Sequence, residues 1–184
     1  MIKRLFVLAV TIMVTGTTHS EGFHGEDRWR HDGRRQQMRV FDARGVVIGL
    51  LVANGGQDGV YLTINGTVTF APITHWTNGG SYMPYLPSRF QWAASSVVFF
   101  ETGDCTGSPV IGSVVFGIRP SAVVRHDTDA MIYVVGDTNA TPITVSSFLN
   151  DGLCGKSTGP LPLLRAEATL SLTQRYPEPL TIGY

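Results

Sequence analysis

Lysine is almost missing from this chain: Lys3 and Lys156 are the two present in 184 residues, and charged residues of all kinds make up 15%. Fourteen basic residues balance fourteen acidic ones, so there is no basic excess to hold nucleic acid or an anionic membrane surface by charge. Two cysteines allow one intramolecular disulfide and no more. No apolar run reaches the roughly 20 residues that a membrane-spanning helix needs. Several enzyme signatures are absent too: a Gly-x-Ser-x-Gly elbow, His-Glu-x-x-His, a Walker loop and a dinucleotide fingerprint. Nothing in the sequence calls for a cofactor or a metal.

What is present starts at the N-terminus. Lys3 and Arg4 precede an apolar run from Leu5 to Val14, and small or polar residues follow to Thr18-His19-Ser20. A charged start, a short apolar middle and a small-residue exit predict a secretory signal peptide over 1–20, cleaved before Glu21. The expected location is secreted or periplasmic, with no stable membrane insertion after cleavage. No cysteine follows the run, so lipid attachment there is not indicated.

In an oxidising compartment an even cysteine count reads as a disulfide, here Cys105 with Cys154. Closing a loop of that length stabilises the fold by roughly 4 kcal/mol in the chain-entropy picture. A catalytic thiol is the competing reading. It needs an adjacent base, and Asp104 beside Cys105 would raise the thiol pKa instead of lowering it.

Residues 21–38 are dense in charge and lack apolar periodicity, so they read as a flexible leader. His24 and His31 lie there among Glu26, Asp27 and Asp32, without the spacing of a metal site. From Arg39 to Tyr184 short Val/Ile/Phe/Tyr/Thr-rich runs alternate with Gly, Asn, Asp and Pro. That pattern predicts one β domain over 39–184. Strands are expected near 39–42, 46–52, 60–64, 67–73, 95–102, 110–117, 121–126, 130–136, 141–147 and 163–172. Val97 to Phe100 and Met131 to Val135 are apolar on both faces, which suits central strands covered on both sides. The expected fold is an all-β antiparallel sandwich or flattened barrel.

The hairpin around Asn65-Gly66 admits two registers. A two-residue turn pairs Leu62 with Thr69, which sets apolar residues beside threonines. A three-residue loop pairs Leu62 with Val68 and Val60 with Phe70, and gathers the apolar residues on one face. The second is the expected register, with Gly66 in a left-handed bulge position.

Three segments resemble those of an uncharacterised exported bacterial domain. Val40-Phe-Asp-Ala-Arg-Gly-Val-Val-Ile-Gly49 resembles its V-x-D-x-x-G-x-x-[VI]-G opening. Val98-Phe-Phe-Glu-Thr-Gly-Asp-Cys-Thr-Gly-Ser-Pro109 is similar to its aromatic strand followed by D-C-[ST]-G-x-P. A second cysteine, Cys154, and a closing stretch, Tyr176-Pro-Glu-Pro179, complete the likeness over roughly 39–180. The charged leader and an aromatic insert around 72–92 depart from that pattern. The resemblance implies a compact β domain on exported or surface proteins, and no catalytic activity.

The insert is the most distinctive stretch of the mature chain. It carries Trp76, Tyr82, Tyr85, Phe90 and Trp92, interrupted by Gly79-Gly80 and prolines. Aromatic rings offer contact area at low entropic cost, so Trp76, Tyr82, Tyr85 and Trp92 are candidate binding residues for a protein or glycan surface. Capping of the β core is the competing role. For catalysis, His126-Asp127 with Ser81 or Ser121 would be the triad candidates, and Glu101, Asp104, Asp127 and Asp129 the paired carboxylates. The simpler expectation puts His126-Asp127 in a turn and makes Asp104 and Asp129 turn formers. The sequence therefore favours a non-enzymatic exported β domain with a structural or recognition role. The alternative is a secreted hydrolase of unknown specificity.

Overall fold

A computed structural model describes residues 37–76, 86–112, 118–150 and 152–184. The signal segment and residues 21–36 of the leader lie outside the described residues. Residues 36–184 form one compact unit.

The strands are β1 (Arg39–Phe41), β2 (Val47–Leu50), β3 (Val52–Asn54), β4 (Gln57–Ile64), β5 (Thr67–Trp76), β6 (Leu86–Trp92), β7 (Val97–Phe100), β8 (Val110–Gly112), β9 (Ser121–His126), β10 (Asp129–Val135), β11 (Thr141–Asn150), β12 (Leu153–Ser171) and β13 (Thr181–Gly183). A four-residue helix, α1 (Leu172–Arg175), separates β12 from β13, and Ser171 caps it by accepting from the Gln174 amide. The strands form three sheets, in the orders β13–β1–β2, β3–β4–β5–β6 and β11–β7–β8–β12–β10–β9. All named pairings are antiparallel, so the expected all-β class holds.

One strand spans the largest sheet. β12 pairs first with β11, then β8, then β10. The sequence pattern predicts a start near 163, whereas the strand begins at Leu153 and runs through Gly155, Gly159, Pro160 and Pro162. They are tolerated for a local reason. Pro162 lies directly opposite Pro142, and among the described residues β7 pairs with β11 over Ser147–Asn150 and β8 with β12 over Leu163–Arg165. Among the described residues, no strand on the outer side of either proline needs its N–H. β6 and β13 were not expected either. Their apolar residues alternate with prolines, arginine and glycine, and pairing alone defines them.

The hairpin takes the register that the apolar pattern disfavoured. Ile64 pairs with Thr67, Leu62 with Thr69 and Tyr61 with Phe70. Asn65 and Gly66 both have positive φ, 49° and 79°, which makes a two-residue type I′ turn. The deciding feature is Thr69. It is fully buried beside Leu62, and its hydroxyl donates to the Arg119 carbonyl at 2.8 Å. A threonine can occupy the core face because a distant segment satisfies it.

The core has three parts. The first lies against β4, β5, β9 and β10 and holds Val60, Leu62, Ala71, Trp92, Val123, Ile132 and Val134. The second holds Val98, Phe100, Cys105, Ala122, Val124, Val135 and Leu164. β9 and β10 thus contribute to clusters on both faces, as the Met131–Val135 run predicted. The third joins Val110, Ile143, Val145 and Leu163, with Phe99 packed against it. At the other expected two-faced run, Val98 and Phe100 are buried and Phe99 is half-buried, but Val97 is 46% exposed at the strand end.

Candidate functional site

The three segments that carry the resemblance turn out to hold the frame. Asp42 is 2% exposed and closes the β1–β2 turn. It accepts from the Arg44 and Val46 amides, both at 2.9 Å, and from the Arg44 guanidinium at 2.6 and 3.0 Å. Burial pushes its pKa up, but these hydrogen bonds outweigh burial and hold it below the ordinary carboxylate value.

In the second segment, the Asp104 carboxylate accepts from the Thr106 hydroxyl at 2.6 Å, and that bond first of all lowers its pKa. Cys105 adopts φ 58° and is bonded to Cys154. The Ser147 hydroxyl, fully buried, accepts from the Cys105 amide and donates to the Thr102 carbonyl. The closing stretch is clamped as well. Glu178 meets Arg125 in a two-pronged ion pair and accepts from the Trp92 amide at 2.6 Å.

The triad candidates do not converge. His126 ends β9, and the Asp127-Thr128 turn leads into β10, with Asp127 at φ 50°. Ser121 begins the same strand, roughly 17 Å away at the usual rise per residue. Its hydroxyl donates to the Phe70 carbonyl. Ser81 lies outside the described residues. Of the carboxylates, Glu101 pairs with Arg165 and Asp129 accepts from the Thr173 hydroxyl. Among the described residues, no three His, Cys, Asp or Glu side chains come together as a metal site.

The aromatic candidates divide. Trp92 is 0% exposed, and its indole N–H donates to the Tyr176 carbonyl at 3.2 Å. Its ring fills the core and offers no face to a ligand, so its role in this fold is packing. Trp76 is half-buried at the end of β5, next to a bulge after His75. Tyr82 and Tyr85 lie outside the described residues.

The surface feature with mixed chemistry lies elsewhere. A cleft of about 240 Å³ opens where the β3–β4 hairpin tip, β5 and the start of β9 meet. Asn54 and Gln57 flank the Gly55-Gly56 turn at one side. Phe70 and Pro72 form the floor, and Arg119 and Ser121 the far side. Three bonds hold that far side. The Arg119 amide donates to the Val68 carbonyl at 3.1 Å, the Thr69 hydroxyl donates to the Arg119 carbonyl, and the Ser121 hydroxyl donates to the Phe70 carbonyl at 3.1 Å. Arg119 therefore forms an isolated parallel bridge with Thr69 beside β5.

Phe70 owes its position to Gly59. An added Cβ at Gly59 would stand 2.5 Å from the Phe70 ring and 2.4 Å from the Ala71 carbonyl oxygen, so the ring lies across a glycine. Tyr61 braces it edge-on, with ring centroids 5.8 Å apart. Of these cleft residues only Ser121 stands out in the sequence, as a triad candidate and not as a binding residue. Asn54-Gly-Gly-Gln57 was a usable turn signal, but Phe70 joins the cleft only in the observed register.

Comparison with models of protein families, with curated proteins and with solved structures found no match. The motif resemblance therefore rests on the quoted residues alone.

Proposed function

We propose that this chain is an exported, non-enzymatic β domain that recognises a glycan or protein surface. The cleft carries this reading. Its lining residues bring together an aromatic ring, amides, hydroxyls and a guanidinium, with Asn54, Gln57 and Phe70 on paired strands and Arg119 bonded to β5. Rigid mounting favours binding because little freedom is lost when a ligand arrives. The roles of four carboxylates support the same view. Asp42, Asp104, Glu101 and Glu178 each hold a turn or an ion pair. The signal peptide and the Cys105–Cys154 bond support a secreted or periplasmic location.

The test is a glycan array together with a pull-down from the extracellular fraction, using disulfide-intact protein and a Phe70→Ala variant. Selective retention of a ligand by the parent protein and its loss in the variant are expected. Retention unchanged by Phe70→Ala would move the site away from the cleft. Turnover of an ester, peptide or glycoside substrate by the purified protein would overturn the non-enzymatic reading.

A further inference from the structure

The chemistry of the cleft can be read more narrowly, on the proposal that it is a recognition site. We infer that it takes the carboxylated pyranose ring of an acidic glycan. Its size comes first. About 240 Å³ is below the roughly 300–1,000 Å³ of pockets that enclose drug-sized ligands, so it suits one small ring.

Its walls come second. Phe70 presents an aromatic surface, which stacks on the apolar C–H face of a sugar ring. Asn54 and Gln57 each carry a donor and an acceptor at the end of one side chain, matching adjacent hydroxyls that both give and take hydrogen bonds. Ser95 also lines the cleft. Its oxygen accepts from the Val123 amide, and its own proton remains to donate.

Charge comes third and decides the class. Arg119 is the cationic residue among those that line the cleft. Among the described residues its guanidinium makes one hydrogen bond, to a single oxygen of Asp137 at 2.9 Å. The Asp137 side chain is 96% exposed and that of Arg119 is 26% exposed. A guanidinium has five N–H donors in a planar fork suited to two carboxylate oxygens. One contact to a solvated carboxylate leaves most of that capacity open. A ligand carboxylate can use the fork, or replace Asp137 on it, at little cost because exposed ion pairs contribute little.

The experiment is an amide and side-chain NMR titration of disulfide-intact protein expressed from the full sequence. The probes are glucuronate and its neutral counterpart, glucose. Glucuronate should move the Asn54, Gln57 and Arg119 resonances saturably, and glucose should bind at least about tenfold more weakly. Asp137→Asn removes the competing carboxylate and should tighten glucuronate about two- to fivefold. Arg119→Met should erase the preference for glucuronate. It spares the fold, because backbone atoms of residue 119 make the contacts to β5.

Equal binding of glucose and glucuronate would overturn the acidic assignment while leaving a recognition site. So would shifts spread evenly over Arg165 and Arg175. If neither sugar moves the cleft but a captured protein does, the sugar inference fails and recognition stands. If no array or pull-down ligand moves it either, both fail.

Discussion

Arg125 and Glu178, 53 residues apart, face each other as a parallel pair of hydrogen bonds, each 2.7 Å long. Their side chains are 17% and 6% exposed. The same guanidinium donates to the Trp92 carbonyl, and the same carboxylate accepts from the Trp92 amide. One pair thus joins β9, the end of β6 and the closing stretch. Beyond it, Leu180 exchanges two backbone bonds with Phe90, and Ile182 pairs with Val40.

Removing one partner should therefore cost more than removing both. Glu178→Ala leaves a largely buried cation unpaired and should destabilise by about 3–5 kcal/mol. For a chain of this length that lowers the melting temperature by about 6 °C or more. The double variant Arg125→Met/Glu178→Leu should recover a substantial part of the loss. Thermal melts of the two single variants and the double variant measure the coupling, and simple additivity would show that the pair does not act as a unit.

Asp42 makes stability depend on pH in a defined direction. Its folded pKa lies below the ordinary carboxylate value. Its contribution is full above that ordinary value, near 4, and disappears as pH falls through the folded pKa. Denaturant midpoints measured from pH 7 to pH 2 should fall in acid. Asp42→Asn should flatten the part of that fall due to this group, and should cost about 1–3 kcal/mol at pH 7. An unchanged acid limb in the variant would assign the fall to other carboxylates.

The disulfide should be present as one Cys105–Cys154 link in non-reduced protein analysed by mass spectrometry. Two free thiols would contradict it. Cys105→Ser with Cys154→Ala should lower stability by about 2–4 kcal/mol. Part of that loss comes from the loop of Thr102 to Thr106, which the bond and Ser147 hold together.

The tryptophans should behave differently. Trp92→Ala opens a large hole in the main core cluster and should cost about 3–5 kcal/mol. Trp76→Ala, at a half-buried position, should cost less. Paired melting curves decide this. An equal loss would make Trp76 as much a packing residue as Trp92.

The outcome at the hairpin shows how far local pattern reaches. Asn65-Gly66 signalled a turn, and the turn is there. The choice between two registers went by apolar content, and Thr69 reversed it. Its hydroxyl finds the Arg119 carbonyl 50 residues later in the chain, which no inspection of residues 60–70 reveals. β12 teaches the same lesson, since its prolines look like interruptions until Pro142 is known to lie opposite.

The cleft was hidden for a related reason. Asn54 and Gln57 are ordinary turn residues, and Arg119 is an ordinary charge, until β5 carries Phe70 between them. The aromatic insert stands out in the sequence instead because its composition is unusual. Trp92, fully buried, serves the interior.

Local chemistry alone settled that this chain would be β-rich, where many turns would fall and that its two cysteines could bond. Alternation along a strand and the φ tolerance of Gly and Asn act over a few neighbours. Register, the burial of Thr69, the Arg125–Glu178 clamp and the assembly of the cleft were decided only in three dimensions. Each depends on a partner dozens of residues away, whose approach the whole packed core has to set.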